Sequence, residues 1–488
     1  MADIVLIRNY NGCLKNMHPC IGLEFLNTYF LHNKIESQIV QPLYADNRLE
    51  RYNYEFLDIK KIKELNPKIV GINSLTTQID ATNYCSRMIK KELPDVKIII
   101  GGHASMHYDK LLAEESINAV CVGEGEESSL EYAINILDNN ESRVKGIARK
   151  EDGKIIFMPR ESSLNLNTVP LPDFKEYNLN GVAELSSARG CNGNCSFCES
   201  KKMYPHLKYM NAEKVISWIK EIQKYQEVKQ AVFMDDNFLA DTARFPKIMG
   251  FLKQENITTH FLSRADSVLK NKESIIKYAK LLKIDLGIES FSDTQLFRWN
   301  KRITSAENNL ALSLLSILRI PFNAYIILSD EKTRLSEIEE QIDGIKKAPP
   351  APFDENSFAR IPLPLICMHY NTILDDLLNE KIRGISYLEV PQKFLTETDA
   401  LNRTLMYIFT ESNAPEIRDV CIKLSDKRLE TFGYGAREIY NGRMGKDGFE
   451  EISARYKSLV KKFILDAGKI LKHDFVSFLD EIKITLFS

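Results

Sequence analysis

Short apolar runs recur through the first part of the chain, and each is followed by apolar residues spaced at helical intervals. DIVLI (3–7) reads as a buried strand, with Leu23, Leu26, Tyr29 and Phe30 on one helical face behind it. SQIVQPL reads as a second strand and KIVGINS (68–74) as a third, followed by a helix from about Ala81 to Leu93. KIIIGGHAS (97–105) is a fourth, ahead of a helix near Leu111. NAVCVGEGE (118–126) is a fifth, ahead of a helix from about Ser128 to Leu137. Continuous apolar strands alternating with helices predict a parallel, doubly wound, Rossmann-like α/β domain.

The alternation breaks after residue 140. KGIARKEDGKIIFMP predicts a hairpin about Glu151-Asp152-Gly153, and the proline-punctuated NTVPLPDF reads as a linker. Strand and helix then alternate again. The strands are the one ending near Leu185 to Ala188, QAVFMDDNF (230–238), THFLSRAD (259–266), KIDLGIES (283–290), FNAYIIL (322–328) and SFARIPLPL (357–365). Six strands, all but the last followed by a helical pattern, predict a partial (β/α)6 barrel of TIM type, whose functional groups sit at the strand C-termini. APPAPFDEN is a proline-rich break, and residues 391–488 are mostly helical by pattern, with solvated charged faces. The expected organisation is a doubly wound domain (1–140), a linker with hairpin (141–180), a barrel (181–370) and a mostly helical C-terminal domain (371–488).

Candidate chemistry is concentrated in SSARGCNGNCSFCES (186–200), which places Cys191, Cys195 and Cys198 on a C-x3-C-x2-C spacing. Three thiolates so close can hold three irons of one iron–sulfur cube and leave the fourth iron open to a ligand. A structural zinc site would want a fourth Cys or His at short spacing, and His206 is the nearest downstream. A disulfide framework does not suit nine cysteines in a chain of 488 residues with the marks of a reducing compartment. Cys13, Cys20, Cys85, Cys121 and Cys421 form no ligand spacing and read as structural. Cys367, His369 and Tyr370 lie just past the sixth strand and fit loop or core packing better than a cavity.

The N-terminal strands also end in unusual residues: Ser74-Leu75-Thr76-Thr77, Gly101-Gly102-His103 and Gly123-Glu124-Gly125-Glu126. Ligands of open α/β sheets bind at such ends, and glycines there let backbone approach a bulky ligand. Ordinary turns explain the same residues equally well.

The C-x3-C-x2-C motif, with the aromatic Phe197 before its last cysteine, resembles the signature of radical S-adenosylmethionine enzymes. The resemblance implies a [4Fe-4S] cluster on the three cysteines, covered by Phe197, whose open iron binds S-adenosylmethionine. The reduced cluster cleaves that ligand to a 5′-deoxyadenosyl radical. The order of H-P-C-I-G-L (18–23), G-I-N-S (71–74), I-I-G-G-H (99–103) and V-G-E-G-E (122–126) is similar to the cobalamin-binding domain fused ahead of many such cores. The D-x-H-x-x-G motif is absent, and His18 before Pro19 lacks its pattern. In the fused family this His-free arrangement is common, so the resemblance implies cobalamin base-off, without a protein His ligand, its lower face against Leu75 to Gln78, with His103 as a tail contact.

D-D-N-F, R-x-D and G-I-E-S follow in the order of the family. Asp235 or the backbone around it, beside Asp236 and Asn237, would take the ammonium of S-adenosylmethionine. Arg264 would hold its carboxylate, and Glu289 with Ser290 its ribose. Each carboxylate alone is as consistent with a helix cap or turn. After the fifth barrel strand the chain reads ILSDEKTRLSE, departing from the glycine-rich turn and Glu-Thr of many relatives.

Composition narrows the partners. There are 65 basic against 67 acidic residues and 44% hydrophobic residues, with no basic excess to suit a nucleic acid. No apolar run approaches the roughly 18 residues of a membrane span, and MADIVLIRNYNG turns polar too soon for a signal peptide. The expectation is a cytoplasmic enzyme acting on a small-molecule or peptide natural-product intermediate, with an external donor of flavodoxin or ferredoxin type. The resemblance implies a methyltransferase acting on an unactivated carbon or phosphorus. A cobalamin-dependent cyclisation or rearrangement is the alternative, as is a front domain that serves only for interaction.

Overall fold

The computed structural model describes residues 2–8, 19–41, 57–140, 142–160, 164–327 and 334–348. The expected sixth barrel strand (357–365), the C-terminal helical domain, Cys13, His18, Cys367, His369, Tyr370 and Cys421 lie outside the described residues. The chain forms two compact units. One comprises Met1–Gly190 and Lys202–Lys229, the other Cys191–Lys201 and the residues from Gln230 onward.

The first unit is built on β1 (Ile4–Arg8), α1 (Ile21–His32), β2 (Ser37–Val40), α2 (Ile59–Leu65), β3 (Ile69–Asn73), α3 (Ile79–Glu92), β4 (Lys97–Gly101), α4 (Tyr108–Ala113), β5 (Ala119–Cys121) and α5 (Gly125–Leu137). The five strands are parallel in the order β2-β1-β3-β4-β5. That order reverses between β1 and β3, the switch point at which doubly wound sheets bind ligands. The apolar runs of β1, β3, β4 and β5 are buried as the pattern required, while edge strand β2 buries only Val40, and Ile4, Leu6, Ile69, Ile99 and Ala119 join Leu23 and Phe30 of α1 in one core. Gly71 has a packing reason: a Cβ there would lie 2.7 Å from Leu6 of the neighbouring strand.

The expected hairpin forms from β6 (Ile147–Glu151) and β7 (Lys154–Phe157). It extends the same sheet as two antiparallel edge strands beyond β5. Asp152 (φ 48°) and Gly153 (φ 75°) both adopt left-handed conformations, as a two-residue turn matching strand twist demands. The helix α2 has no counterpart in the sequence reading. It is about two turns long, capped by Asp58, whose side chain accepts from the Lys61 amide at 2.9 Å, and ended by Asn66 at φ 47°. Cys85 and Cys121 are free and buried, and burial pushes their thiols up to about 12 and about 11, as inert packing groups.

Beyond the linker come β8 (Val182–Leu185), β9 (Ala188–Arg189), α6 (Ser200–Met203), β10 (Lys208–Tyr209) and α7 (Ala212–Gln223). The second unit continues with β11 (Gln230–Phe233), α8 (Arg244–Gln254), β12 (Thr258–Arg264), α9 (Ala265–Lys270), α10 (Lys272–Tyr278), β13 (Leu282–Glu289), α11 (Asp293–Arg298), α12 (Ser305–Ile317), β14 (Phe322–Ile326) and α13 (Leu335–Lys347). Strands β11 to β14 are parallel and adjacent in sequence order. Phe261 of β12 meets Phe238 at a tilt and Phe245 of α8 edge-on, so this face of the sheet packs on helices. The alternate residues His260, Leu262 and Arg264 therefore share the opposite face with Asp285, Asn323 and Tyr325 of the neighbouring strands.

Candidate active site

In the first unit, the loops after β3 and β4 close on each other. The Ser74 amide donates to the Gly101 carbonyl at 2.9 Å, and the Ala104 amide to the Ser74 carbonyl at 3.0 Å. Ser74 is buried, its hydroxyl 2.6 Å from that of Thr82. Gly102 has φ 84°, and a Cβ on it would stand 2.6 Å from the Ser74 carbonyl oxygen, so only glycine fits. This pinned pair of loops projects Leu75, 47% exposed, while its amide is held by Gln78 Oε1 at 3.0 Å. Thr76 and Thr77 begin the short 3₁₀ turn that follows, and Thr76 is buried. Gly101 has open space where a Cβ would be, and His103 opens a second 3₁₀ turn, half-buried. An exposed apolar side chain on a rigid loop, beside a glycine with open space, fits a bulky planar ligand that needs a floor.

The GEGE turn behaves differently. Gly123 (φ 88°) makes the turn and Gly125 starts α5. Glu124 is occupied by protein: it accepts from Arg189 at 3.1 Å and from Lys208 at 2.6 Å. Arg189 also pairs with Glu126, and its guanidinium lies 5.7 Å from the Phe25 ring centre. Burial works against the Arg189 charge, but Glu126 and Glu124 outweigh it and push its pKa up. Arg189 and Lys208 were not singled out from sequence, because their partners lie more than 60 residues away.

In the second unit, the loop carrying Cys191, Cys195 and Cys198 is tied at several points. The Gly193 amide donates to Cys191 Sγ at 3.3 Å, and the Cys198 amide to the Cys195 carbonyl at 3.2 Å. Asn237 Nδ2 donates to Asn192 Oδ1 at 2.9 Å, and Ser200 to Asp236 Oδ1 at 2.9 Å. Phe197 meets Trp299 edge-on at 6.0 Å. Arg264 Nη1 lies 3.5 Å from Cys195 Sγ. Burial pushes the Cys191 and Cys198 thiols up, so loading a metal must displace protons. Among the described residues no three His, Cys, Asp or Glu side chains converge on a single ion. Thiolates around a cube stand farther apart than around one ion, so three free thiols, with a guanidinium and an amide beside them, fit a cluster.

Around that loop the strand ends carry paired charges. Asp235 is buried, and its carboxylate accepts from Arg244 at 2.9 Å, with the guanidinium 5.2 Å from the Phe238 ring. Its side chain is thus turned to α8, and the backbone about Met234 and Asp235 is the part at the strand end. Arg264 donates to Asp266 at 2.8 Å and to the Lys301 carbonyl at 2.6 Å. Burial disfavours its charge, yet Asp266 and the Cys195 and Cys191 sulfurs outweigh that and raise its pKa. Glu289 follows a register shift in β13 and adopts φ 64°, a strained conformation for a residue with a side chain. It pairs with Lys301 Nζ at 2.9 Å. Gly287 leaves room for that pair, since a Cβ would stand 2.8 Å from Glu289 Oε1 and 3.2 Å from Lys301 Nζ. The Ser290 hydroxyl is engaged instead with Gln295 at 2.7 Å and with the Ser292 amide at 2.8 Å.

Four or so residues back along these strands lies a second polar group. His260 Nε2 is 3.0 Å from Asp285 Oδ1 but off the line of a hydrogen bond, while Asn323 and Tyr325 donate to Asp285 at 2.6 and 2.9 Å. Alternation of polar residues in THFLSR, KIDLG and FNAYI carried this signal. Arg244 and Lys301 offered none, each meeting its partner across a loop or helix.

Comparison with known proteins agrees with this geometry. The B12 binding domain family matches residues 8–133, and the Radical SAM superfamily matches residues 185–349. The chain therefore carries the two domains that cobalamin-dependent radical S-adenosylmethionine enzymes combine, and its cofactors are a [4Fe-4S] cluster, S-adenosylmethionine and cobalamin. It is 26% identical over 345 residues to an uncharacterized methyltransferase, PH0819, of Pyrococcus horikoshii, covering 67% of this chain and 73% of that one. It is 26% identical over 301 residues to an anaerobic magnesium-protoporphyrin IX monomethyl ester cyclase of Rubrivivax gelatinosus, covering 58% of this chain and 54% of the cyclase. The structure of OxsB, a cobalamin-dependent radical enzyme with aqua-cobalamin and S-adenosylmethionine bound, shares the fold at a TM-score of 0.67 and 16% identity, over 100% of this chain and 84% of that one. Among the described residues no helix is long and apolar enough to cross a membrane.

Proposed function

We propose that the chain is a methyltransferase acting on an unactivated carbon or phosphorus of a small-molecule or peptide intermediate in the cytoplasm. The observation that carries the reading is the presence in one chain of a three-thiol loop beside Arg264 and a sheet whose pinned loops offer Leu75 as an apolar floor. The printed name of the archaeal relative supports the methyl-transfer outcome. When bound, the cluster with S-adenosylmethionine supplies a radical and cobalamin a transferable methyl group.

The chain's own residues hold and orient these groups. Cys191, Cys195 and Cys198 ligate the cluster, and Phe197 shields it. Arg264 takes the carboxylate of S-adenosylmethionine and Glu289 its ribose. The ammonium goes to backbone at Met234 and Asp235, because Arg244 already engages the Asp235 carboxylate. Leu75 to Gln78 would hold one face of cobalamin, with no His among them, and Gly101 to His103 would border its tail. An external flavodoxin- or ferredoxin-type protein supplies electrons. The domain limits at about residues 140, 180 and 370 are part of this proposal.

The test is anaerobic reconstitution with iron, sulfide and hydroxocobalamin, read by metal content and by EPR after reduction. About four irons and one cobalamin per chain, with a base-off signal, are expected. Iron without cobalamin overturns the methyltransferase reading. The cyclase relative favours a second outcome, cyclisation. A product heavier by one CH2 separates methylation from ring closure, which adds no carbon.

A further inference from the structure

Three consecutive residues after α11 touch the cysteine loop, Arg264 and Glu289. The Trp299 carbonyl accepts from the Ser196 amide at 2.8 Å, and the Trp299 ring meets Phe197. The Asn300 side chain donates to the Asn194 carbonyl at 2.8 Å. The Lys301 carbonyl accepts from Arg264 at 2.6 Å, and its ammonium reaches Glu289 at 2.9 Å. The first two residues therefore grip the cysteine loop between its ligands, and the third grips the two strand ends.

The backbone is shaped for this. Asn300 (φ 51°) and Arg302 (φ 55°) are both left-handed, flanking Lys301. Such conformations persist where surrounding contacts over-determine them, and they cluster at ligand sites. The Lys301 and Glu289 side chains are 4% and 10% exposed. Burying an ion pair is seldom the cheapest way to fill space, since apolar residues of like volume often do as well. A pair kept here, with Gly287 making room for it, suits orientation of the carboxylate better than stability alone.

We infer that Trp299–Lys301 is a positioning strap that holds the cluster loop, Arg264 and Glu289 in one arrangement for S-adenosylmethionine. Lys301 is its positioning residue, aiming Glu289 by charge and Arg264 by its carbonyl. The inference rests on the proposed roles of Arg264 and Glu289. Its separable consequence is that the two halves of the strap fail differently: loss of Asn300 loosens the cluster, whereas loss of Lys301 weakens S-adenosylmethionine binding to an intact cluster.

The test uses the full chain, reconstituted anaerobically, as wild type, Lys301→Met, Lys301→Arg and Asn300→Ala. Iron content, iron release to a chelator and melting temperature are measured, and the EPR signal of the reduced cluster is titrated with S-adenosylmethionine. Lys301→Met should keep its iron, with the half-saturating concentration raised about 10- to 100-fold, the range for one charge-assisted contact. Lys301→Arg should recover part of that loss. Asn300→Ala should release iron faster, with half-saturation close to wild type. Equal half-saturation in Lys301→Met and wild type overturns the inference. So does joint loss of iron, ligand response and melting temperature in both Lys301 variants, the signature of a merely structural ion pair. If Lys301→Met fails to fold, unchanged half-saturation in Lys301→Arg together with unchanged iron release in Asn300→Ala overturns it. A wild type that loads iron yet gives no response to S-adenosylmethionine instead sinks the reading on which the inference rests.

Discussion

The two candidate cofactor sites are made of different material. In the doubly wound sheet the site is backbone and small side chains: Ser74 and Gly102 locked together, Gly101 open, Leu75 projecting. In the barrel it is charge, and each charge is already answered, Asp235 by Arg244, Arg264 by Asp266 and Glu289 by Lys301. A large ring system needs a flat floor and clearance, which glycine and a pinned loop provide. A small zwitterion needs direction, which comes from ionic groups held still by buried partners. Glu124 marks the boundary of that rule, since it sits at a sheet loop yet is consumed by Arg189 and Lys208.

The sharpest way to break the comparison is to destroy one site and ask whether the other survives. Cys195→Ala should abolish cluster assembly and S-adenosylmethionine cleavage while cobalamin uptake persists, read by iron content against the cobalamin absorbance. Arg244→Met removes the cation that answers the buried Asp235 carboxylate and should cost about 3–5 kcal/mol, measured by denaturant unfolding. Gly102→Ala places a methyl against the Ser74 carbonyl at a positive φ, with an expected cost of about 1–3 kcal/mol. It should lower cobalamin affinity and leave iron content unchanged; an intact cobalamin site in that variant would show that the loop pair is not the floor.

The smallest effect concerns the second polar group of the barrel. Burial alone would raise the Asp285 carboxyl, but His260, Tyr325 and Asn323 outweigh it and hold it below the usual range. A carboxyl depressed on folding adds stability above its unfolded pKa and loses it as pH falls through the folded value. Wild type should therefore exceed Asp285→Asn in melting temperature at neutral pH. That lead should shrink below about pH 4, the ordinary carboxylate value. A constant difference across the range would mean that Asp285 contributes shape and not charge.

Much of the architecture was legible because burial writes itself into apolar runs. β1, β3, β4 and β13 could be read from continuous or alternating hydrophobicity, and Asp152-Gly153 from turn chemistry. The seven residues of α2 could not, for Ile62 and Leu65 are a single i, i+3 pair, too short a stretch to establish a helical period. The cysteine spacing is local and was read directly. Arg189, Arg244 and Lys301 were not, because an ion pair depends on which chain segments meet, and a lone Arg or Lys in sequence reads as solvated surface. Ser290 shows the converse, a residue at the expected place whose hydroxyl the start of α11 has taken.

Arg189 also bears on how the protein matures. Two carboxylates grip it, and Gly190 at φ 78° turns the chain directly into Cys191. None of those groups binds metal, so the upstream end of the receptor is fixed before any cluster arrives. Ordering on loading is then confined to the few residues from Cys191 to Cys198, and a short segment loses little conformational freedom. Because the latch is buried, dissolved salt screens it weakly. A chain emptied of iron by oxygen should therefore be a ready acceptor for a fresh cluster, repairable without refolding.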